Sequence, residues 1–317
     1  MKKSQKIIFN RRLHISKNER IMTVCIAAIC DAENGSGKKI VFCADRQISV
    51  GIQFEGGMPK IQKFTENCYI MDSTNDSLRS DLIIERTKER LGNIEFLEIK
   101  KVVEILCEEC EKVKTEQIQK ELLWKYNALP SNLKVNPSDL LPYINQQLDN
   151  YDYDLSCEFL VFGLESPQIA HIYRIDENGM EKLLDNLAFA MIGGGGQLAL
   201  LEITKYPYSI EIPSVEAIAR VHFAKRLAER AIGVGHDLDL KLLYYSEHPE
   251  TKVVSPDVFD ISQIRPDIIE ALDNAFEDIN QYEREKVREI MPKKLYELFT
   301  NQNEKKEDIG IQSQETQ

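Results

Sequence analysis

Apolar residues near the start of the chain form two short uninterrupted runs joined by a polar turn. The first run covers residues 23–30 and the second covers residues 40–44, with Asn34-Gly35 between them. Asn and Gly accept the positive φ angles of a tight turn, so the two runs predict a β-hairpin. Because both faces of each run are apolar, we expect the hairpin to lie in a sheet that is covered on both sides.

The hydrophobic pattern predicts alternating groups of strands and helices along the rest of the chain. Apolar or alternating runs predict strands at residues 67–71, 157–163, 169–175, 187–192 and 238–245. Apolar residues at helical spacing predict helices at 77–91, 99–113, 197–204 and 213–232. By itself, this order of elements indicates an α+β fold.

The two ends of the chain differ from its centre. Residues 1–21 carry seven Lys and Arg against one acid, without the long apolar stretch of a secretory signal. They either precede a true translation start at Met22 or form a propeptide that self-cleavage removes. A polar tail from about Asn301 is expected to be disordered. The predicted division is a leader or misassigned start at 1–22, a domain at 23–248 with an insertion at about 115–155 around a short helix at 143–148, and a helical C-terminal extension at 249–317.

Composition narrows the classes of function. A chain of 317 residues with 43% hydrophobic residues can bury a large core. The net charge of −12 offers no broad basic face to phosphates, so we expect no nucleic-acid partner. No apolar run approaches the roughly 18 residues of a membrane span. Three of the seven cysteines lie inside apolar strand runs, which is typical of reduced core residues in a cytoplasmic protein, and we expect neither a metal nor a cofactor.

Three residues with catalytic potential lie at the ends of the two apolar runs or soon after them. Thr23 begins the first apolar run, Asp45 ends the second, and Lys60 follows it. A threonine hydroxyl is a poor nucleophile without an adjacent base. If Met22 were removed, the α-amine of Thr23, with a reference pKa of about 7.7–8.0, would be that base. A neighbouring lysine would keep the amine neutral by like-charge repulsion, and an aspartate would hold the lysine.

The order of these segments carries a resemblance. Thr23-Val-Cys-Ile-Ala-Ala, Phe-Cys-Ala-Asp45-Arg46 and Pro-Lys60-Ile-Gln-Lys-Phe resemble the opening of proteasome β subunits and their bacterial relatives. The Met-Thr-x-Cys start is most similar to the bacterial branch in which the threonine directly follows the initiator methionine. These proteins are N-terminal-nucleophile (Ntn) hydrolases. The resemblance therefore implies a four-layer αββα sandwich and catalytic roles for Thr23, Asp45 and Lys60.

The resemblance also implies supporting residues. The polar corner after the third strand matches the family's Ala-Gly, whose backbone N–H forms the oxyanion hole, and this implies that role for Thr74. The four-glycine run matches a Gly-Ser-Gly turn that packs on the nucleophile, which implies support from Gly193 and Gly194 without the serine. The family's later helix ends near Asp-x-x-Ser-Gly. Here residues 230–235 contain neither acid nor serine, and Asp237 is the substitute that a shifted turn would offer.

Three functions stay open at this point. The first is a threonine endopeptidase that acts on peptides or unfolded proteins within a homo-oligomeric ring, with Thr23 exposed by removal of residues 1–22. The second is a non-catalytic Ntn-fold assembly subunit, and the third is an Ntn amidase for a small molecule. The ring is expected from the resemblance and from the apolar-faced helices at 77–113, which exceed what one core easily absorbs.

Overall fold

The structure is a computed structural model in which nine segments of the chain are described. These segments are residues 23–31, 37–45, 48–50, 52–54, 60–120, 155–231, 233–247, 252–283 and 285–286. The predicted features outside them are the leader at 1–22, the first hairpin turn at 32–36, residues 121–154 of the insertion with its short helix at 143–148, and the polar tail from Asn301. The chain divides between Arg265 and Pro266 into two compact units.

Two five-stranded antiparallel sheets form the centre of the first unit. In order, the first sheet contains β10 (Phe189–Ile192), β1 (Cys25–Asp31), β2 (Lys38–Asp45), β11 (Leu238–Glu247) and β12 (Val254–Asp260). The second contains β5 (Ile61–Thr65), β6 (Cys68–Thr74), β7 (Cys157–Ser166), β8 (Ile169–Ile175) and β9 (Glu181–Leu183). A separate ladder pairs β3 (Ile48–Val50) with β4 (Ile52–Phe54).

The predicted hairpin of β1 and β2 is present at the centre of the first sheet. The two strands pair antiparallel over their whole length, from Cys25 opposite Ala44 to Asp31 opposite Lys38. Nearly all of their residues are buried, as two-sided apolar runs require. Phe42 of β2 meets Phe162 of β7 with ring centroids 4.8 Å apart. The two sheets therefore pack face to face through a shared core.

Helices cover the outer faces of the sheets. They are α1 (Ser77–Leu91), α2 (Ile99–Ile118), α3 (Gly196–Ile203), α4 (Ser214–Ala228) and the short α5 (Ile261–Ile264), with a 3₁₀ turn at Asp185–Leu187. Ile83 and Leu106 of α1 and α2 are buried against Phe159 of the second sheet. α4 packs on β1 and β2 of the first.

The apolar faces at 77–113 are thus largely used inside this unit. These buried residues belong to one core, so the expectation that they exceed it, and thereby require a ring, is wrong. Apolar residues exposed to solvent include Leu78, Leu82, Ile94 and Phe96 within this range, and Leu201 and Val215 elsewhere. Any argument for assembly has to rest on such exposed residues and not on the buried faces of α1 and α2.

Several element boundaries differ from the sequence-based prediction. Asp76 caps α1 in place of the expected Ser77, with its Oδ1 accepting from the Arg79 N–H at 3.2 Å. β6 continues to Thr74 instead of ending at Met71. α4 ends at residue 228, four residues early.

The region after residue 248 is not purely helical, because β12 pairs with β11 along the edge of the first sheet. Ser255, Pro256 and Asp257 interrupt the apolar positions of β12, and only Pro256 is buried, so the strand gives a weak apolar signal in the sequence. The second unit has a helix over residues 266–283. Among the described residues, no helix is both long and apolar enough to cross a membrane.

Candidate active site

Three strand ends meet at the C-terminal residue of β2. β2 runs antiparallel to both β1 and β11, so its last residue, Asp45, lies at the starts of both neighbours. The Asp45 N–H donates to the Val24 carbonyl at 3.2 Å, and the register pairs Asp45 with Leu238. The residue before Val24 is Thr23. The pairing of apolar strands therefore brings Thr23 and Asp45 together.

The carboxylate of Asp45 is fully buried and accepts hydrogen bonds on both oxygens. Its Oδ1 accepts from the Thr23 hydroxyl, from Lys60 Nζ at 2.6 Å and from the Val24 N–H at 3.4 Å. Its Oδ2 accepts from the Gly235 N–H at 3.0 Å. Burying a carboxylate is costly unless it is paired and hydrogen-bonded. These four donors explain how a carboxylate is tolerated between the layers.

Lys60 enters the site from the opposite sheet, since it directly precedes β5. Its side chain is 14% exposed, and Nζ donates both to Asp45 Oδ1 and to the Thr23 hydroxyl oxygen. The Thr23 hydroxyl therefore donates to a carboxylate and accepts from an ammonium at the same time. The three residues that the sequence analysis singled out form one contiguous hydrogen-bonded group.

The glycine run packs directly against Thr23. Gly193 has a φ of +89°, and a Cβ there would lie 2.4 Å from the Thr23 carbonyl oxygen and 2.7 Å from its Cγ2. Gly194 lies in the same turn. The N–H of Gly195 donates to the Thr23 carbonyl at 3.0 Å. Gly195 is a contact that the sequence analysis missed, because the resemblance pointed to the two glycines before it.

Thr74 lies at the end of β6, two residues beyond Asp72, whose carbonyl accepts from the Cys25 thiol at 3.5 Å. The Thr74 hydroxyl donates to the Ser156 carbonyl at 3.2 Å and accepts from the Asp76 N–H at 2.9 Å. Its side chain therefore organises the corner before α1. The oxyanion role of its backbone N–H stays a prediction.

Cys25 is a second potential nucleophile close to the site. It is completely buried, and burial raises the pKa of its thiol well above the ordinary value, an effect that the charge of Lys60 opposes only in part. The thiolate, not the thiol, is the reactive form of cysteine. The buried Cys25 thiol lies on the Asp72 carbonyl, whereas the Thr23 hydroxyl contacts Asp45 and Lys60, so Thr23 stays the predicted nucleophile.

The turn before β11 contributes through its backbone. Gly235, and not the Asp237 that the sequence suggested as a substitute, contacts the Asp45 carboxylate. Behind the turn, Lys225 of α4 donates to the carbonyls of Gly235 and His236 at 2.9 and 2.8 Å. This lysine was not predicted from the sequence as part of the site. The available signal was its helical spacing from the apolar Val221, which places a cation on the buried side of the helix.

Comparison with known proteins shows the fold. No protein-family model matches the sequence, and no curated protein matches it. Anbu from Yersinia bercovieri, described as an ancestral beta-subunit, has a TM-score of 0.54 and 14% identity, covering 82% of this chain and 96% of that one. A Gly-1 mutant of Anbu from Hyphomicrobium sp. strain MC1 has a TM-score of 0.53 and 12% identity, covering 84% and 99%. This chain shares the Anbu fold. At such low identity the likeness to Anbu concerns the fold and no residue's role.

We expect Gly193→Ala to lower the free energy of unfolding by about 2–4 kcal/mol. Two costs sum in this variant: the strain of an alanine at positive φ, and the overpacking of its Cβ against Thr23. Gly92→Ala is the matched control, since Gly92 has a φ of +60° but nothing within 4 Å of the point that a Cβ would occupy. It should lose only the backbone-strain part of this cost, on the order of 1–3 kcal/mol, without the overpacking. Urea unfolding of both variants measures the difference. Equal losses would show that the contact with Thr23 does not limit the glycine turn.

Proposed function

We propose that this chain is a proteasome-like threonine endopeptidase that hydrolyses peptide bonds with Thr23 as its N-terminal nucleophile. The observation that carries the proposal is the shared contact of the Thr23 hydroxyl with Asp45 and Lys60. A nucleophile, a cation and a carboxylate in hydrogen-bond contact, with a glycine run packed against the nucleophile, are the parts that such a reaction needs.

Removal of residues 1–22 would give Thr23 a free α-amine. In the proposed reaction the Thr23 oxygen attacks the scissile carbonyl carbon, and its proton moves to the α-amine. The C–N bond then breaks, the departing amine takes that proton, and the acyl group stays on Thr23 as an ester. Water attacks the ester with the α-amine as base and restores the hydroxyl. A chain in which residue 22 stays attached has no such base.

Lys60 serves this reaction in two ways. Its ammonium keeps the nearby α-amine neutral through like-charge repulsion, so the amine can accept a proton near neutral pH. It also lies on the reacting oxygen, where negative charge develops. Asp45 holds Lys60 at 2.6 Å and so fixes the position of the charge. The nucleophile, base, cation and carboxylate all come from the chain itself, and the peptide and water are the reactants.

The proposal extends to architecture and setting. Helices, two facing sheets and further helices make up the four-layer αββα sandwich of Ntn hydrolases in this reading, with peptides or unfolded proteins as substrates. A homo-oligomeric ring in the cytoplasm would fit such an enzyme. In support of assembly, four apolar side chains of α3, of the loop after it and of the start of α4 are exposed, namely Leu200, Leu201, Tyr206 and Val215.

A non-catalytic assembly subunit is the second candidate. One observation favours it: residues 230–235 lack the acid and serine that complete the site in the family. An assembly subunit would keep the fold and would not react with any substrate or probe at Thr23. Thr23 variants therefore separate the two candidates.

In a chain that starts at Thr23, we expect Thr23→Ala to reduce turnover of a fluorogenic peptide by about 10⁴-fold or more, since nucleophile loss removes the reaction path. Thr23→Ser should keep part of the activity, because hydroxyl and amine remain. Both variants should keep the wild-type melting temperature within a few degrees. An electrophilic threonine-directed probe should label wild type but not Thr23→Ala. Labelling that persists in Thr23→Ala and disappears in Cys25→Ala would make Cys25 the nucleophile.

Lys60→Ala should lower kcat by about 100-fold, because it removes the cation that positions charge at Thr23. Lys63→Ala is the matched control, since the Lys63 side chain is 44% exposed and pairs with Glu66 on the surface. Exposed pairs contribute little, so its activity should stay within about twofold of wild type. Steady-state kinetics of the two variants measure this. Similar losses in both would remove the special role of Lys60.

Assembly is tested by light scattering of the full chain at micromolar concentration. We expect a mass that is a multiple of the monomer, because the exposed apolar side chains of α3 and α4 favour burial between copies. Leu201→Glu on this surface should shift the mass toward the monomer, and Leu183→Glu on β9 should not. A wild-type monomer would contradict the ring.

A further inference from the structure

A buried lysine lies behind the turn that contacts Asp45. Lys225 of α4 is 0% exposed, and its ammonium donates to the carbonyls of Gly235 and His236 at 2.9 and 2.8 Å and to the Glu229 carboxylate. An ammonium has three donors, and all three are used here. Two of them fasten consecutive carbonyls of residues 233–236, the active-site turn.

Burying the ammonium of this lysine in the core costs desolvation free energy. Burial lowers the pKa of Lys225 from its ordinary value, while the charge of Glu229 acts in the opposite direction. Three of its helical neighbours are fully buried: the apolar Val221 and Ala228, and the polar His222. An apolar side chain of similar length would pack there without a desolvation cost. A role in fixing the turn accounts for the lysine, and packing alone does not.

Gly235 connects Lys225 to the site. Its carbonyl accepts from Lys225 Nζ at 2.9 Å, and its N–H donates to Asp45 Oδ2 at 3.0 Å. The other carboxylate oxygen of Asp45 accepts from Lys60 Nζ at 2.6 Å. One hydrogen-bonded path therefore runs from Lys225 through a single glycine to Asp45 and on to Lys60. Each step in the path is a direct contact.

We propose that Lys225 is a positioning residue, which holds the active-site turn so that the Gly235 N–H stays on Asp45. The turn lacks the acid and serine of the family's Asp-x-x-Ser-Gly motif. Lys225 restricts the conformation of the turn in place of those side chains. Its effect on catalysis rests on the proposed peptidase function. Its effect on the Gly235 N–H does not.

Arg226 offers a matched control on the same helix. Its guanidinium contacts Glu229 Oε1 at 2.7 Å and the His236 carbonyl at 3.3 Å, from a side chain that is 20% exposed. The Glu229 Oε2 lies 3.0 Å from His236 Nδ1. Arg226 therefore shares two acceptors with Lys225 but approaches them from the surface.

The experiment compares chains that start at Thr23 with either Lys225→Met or Arg226→Met. Met has a length similar to Lys and removes only the charged donors. Hydrogen exchange at residues 233–236, followed by mass spectrometry, should become roughly tenfold faster in Lys225→Met, as expected when a hydrogen bond is lost. It should stay within about twofold in Arg226→Met. With a fluorogenic peptide, kcat of Lys225→Met should fall by about 100-fold at an unchanged KM, because the reacting groups are misplaced while substrate contacts remain.

Lys225→Arg keeps a cation behind the turn and should recover part of both the exchange protection and kcat, which a purely volumetric role would not predict. If Lys225→Met does not fold, exchange and kcat of Lys225→Arg test whether a cation at this position orders the turn. Unchanged exchange in Lys225→Met, or faster exchange with unchanged kcat, would overturn the inference. If wild type hydrolyses no peptide and labels with no probe, the peptidase proposal fails, and the exchange data alone then decide whether Lys225 holds the Gly235 N–H on Asp45.

Discussion

A buried carboxylate that needs donors on both oxygens is the constraint on which this site depends. The donors to Asp45 are 22 residues before it, 15 residues after it and 190 residues after it in sequence, at Thr23, Lys60 and Gly235. No local segment can supply all three. The carboxylate is satisfied only when both sheets and the turn before β11 are in place, so the site forms together with the tertiary fold.

The residues around Lys60 determine which carboxylate its ammonium contacts. Asp72 also lies close enough for its charge to interact with Lys60, but burial raises the pKa of Asp72, and its carboxylate bonds to the Ser80 hydroxyl at 2.7 Å. Asp45 makes the direct contact with Lys60 and has three further donors. The ammonium is therefore held at Thr23 and not drawn toward α1.

The sequence predicts those parts of the fold that depend on apolar runs and on neighbouring residues. The hairpin of β1 and β2 follows from two apolar runs and Asn-Gly, and its register then brings Asp45 to Thr23. The placement of Lys60 depends on the resemblance, because this lysine comes from the other sheet and no strand register fixes it. β12 could not be predicted, because Ser255, Pro256 and Asp257 interrupt its apolar positions. The cap at Asp76 was missed by one residue, because Ser and Asp are both good caps.

The parts of the site that escaped prediction have a common physical cause. Gly195 and Gly235 act through backbone N–H groups, which every residue except proline carries, so no residue type identifies them. Residues 230–235 lack an acid and a serine, so by sequence motif alone the site looks incomplete. In the fold, an N–H takes the position at the carboxylate, and the order that a side-chain network would provide comes from Lys225 behind the turn. The absence of a side-chain motif therefore does not show that the Asp45 carboxylate lacks a donor. A main-chain N–H can be that donor if its turn is rigid. A buried cation can make the turn rigid by binding its carbonyls.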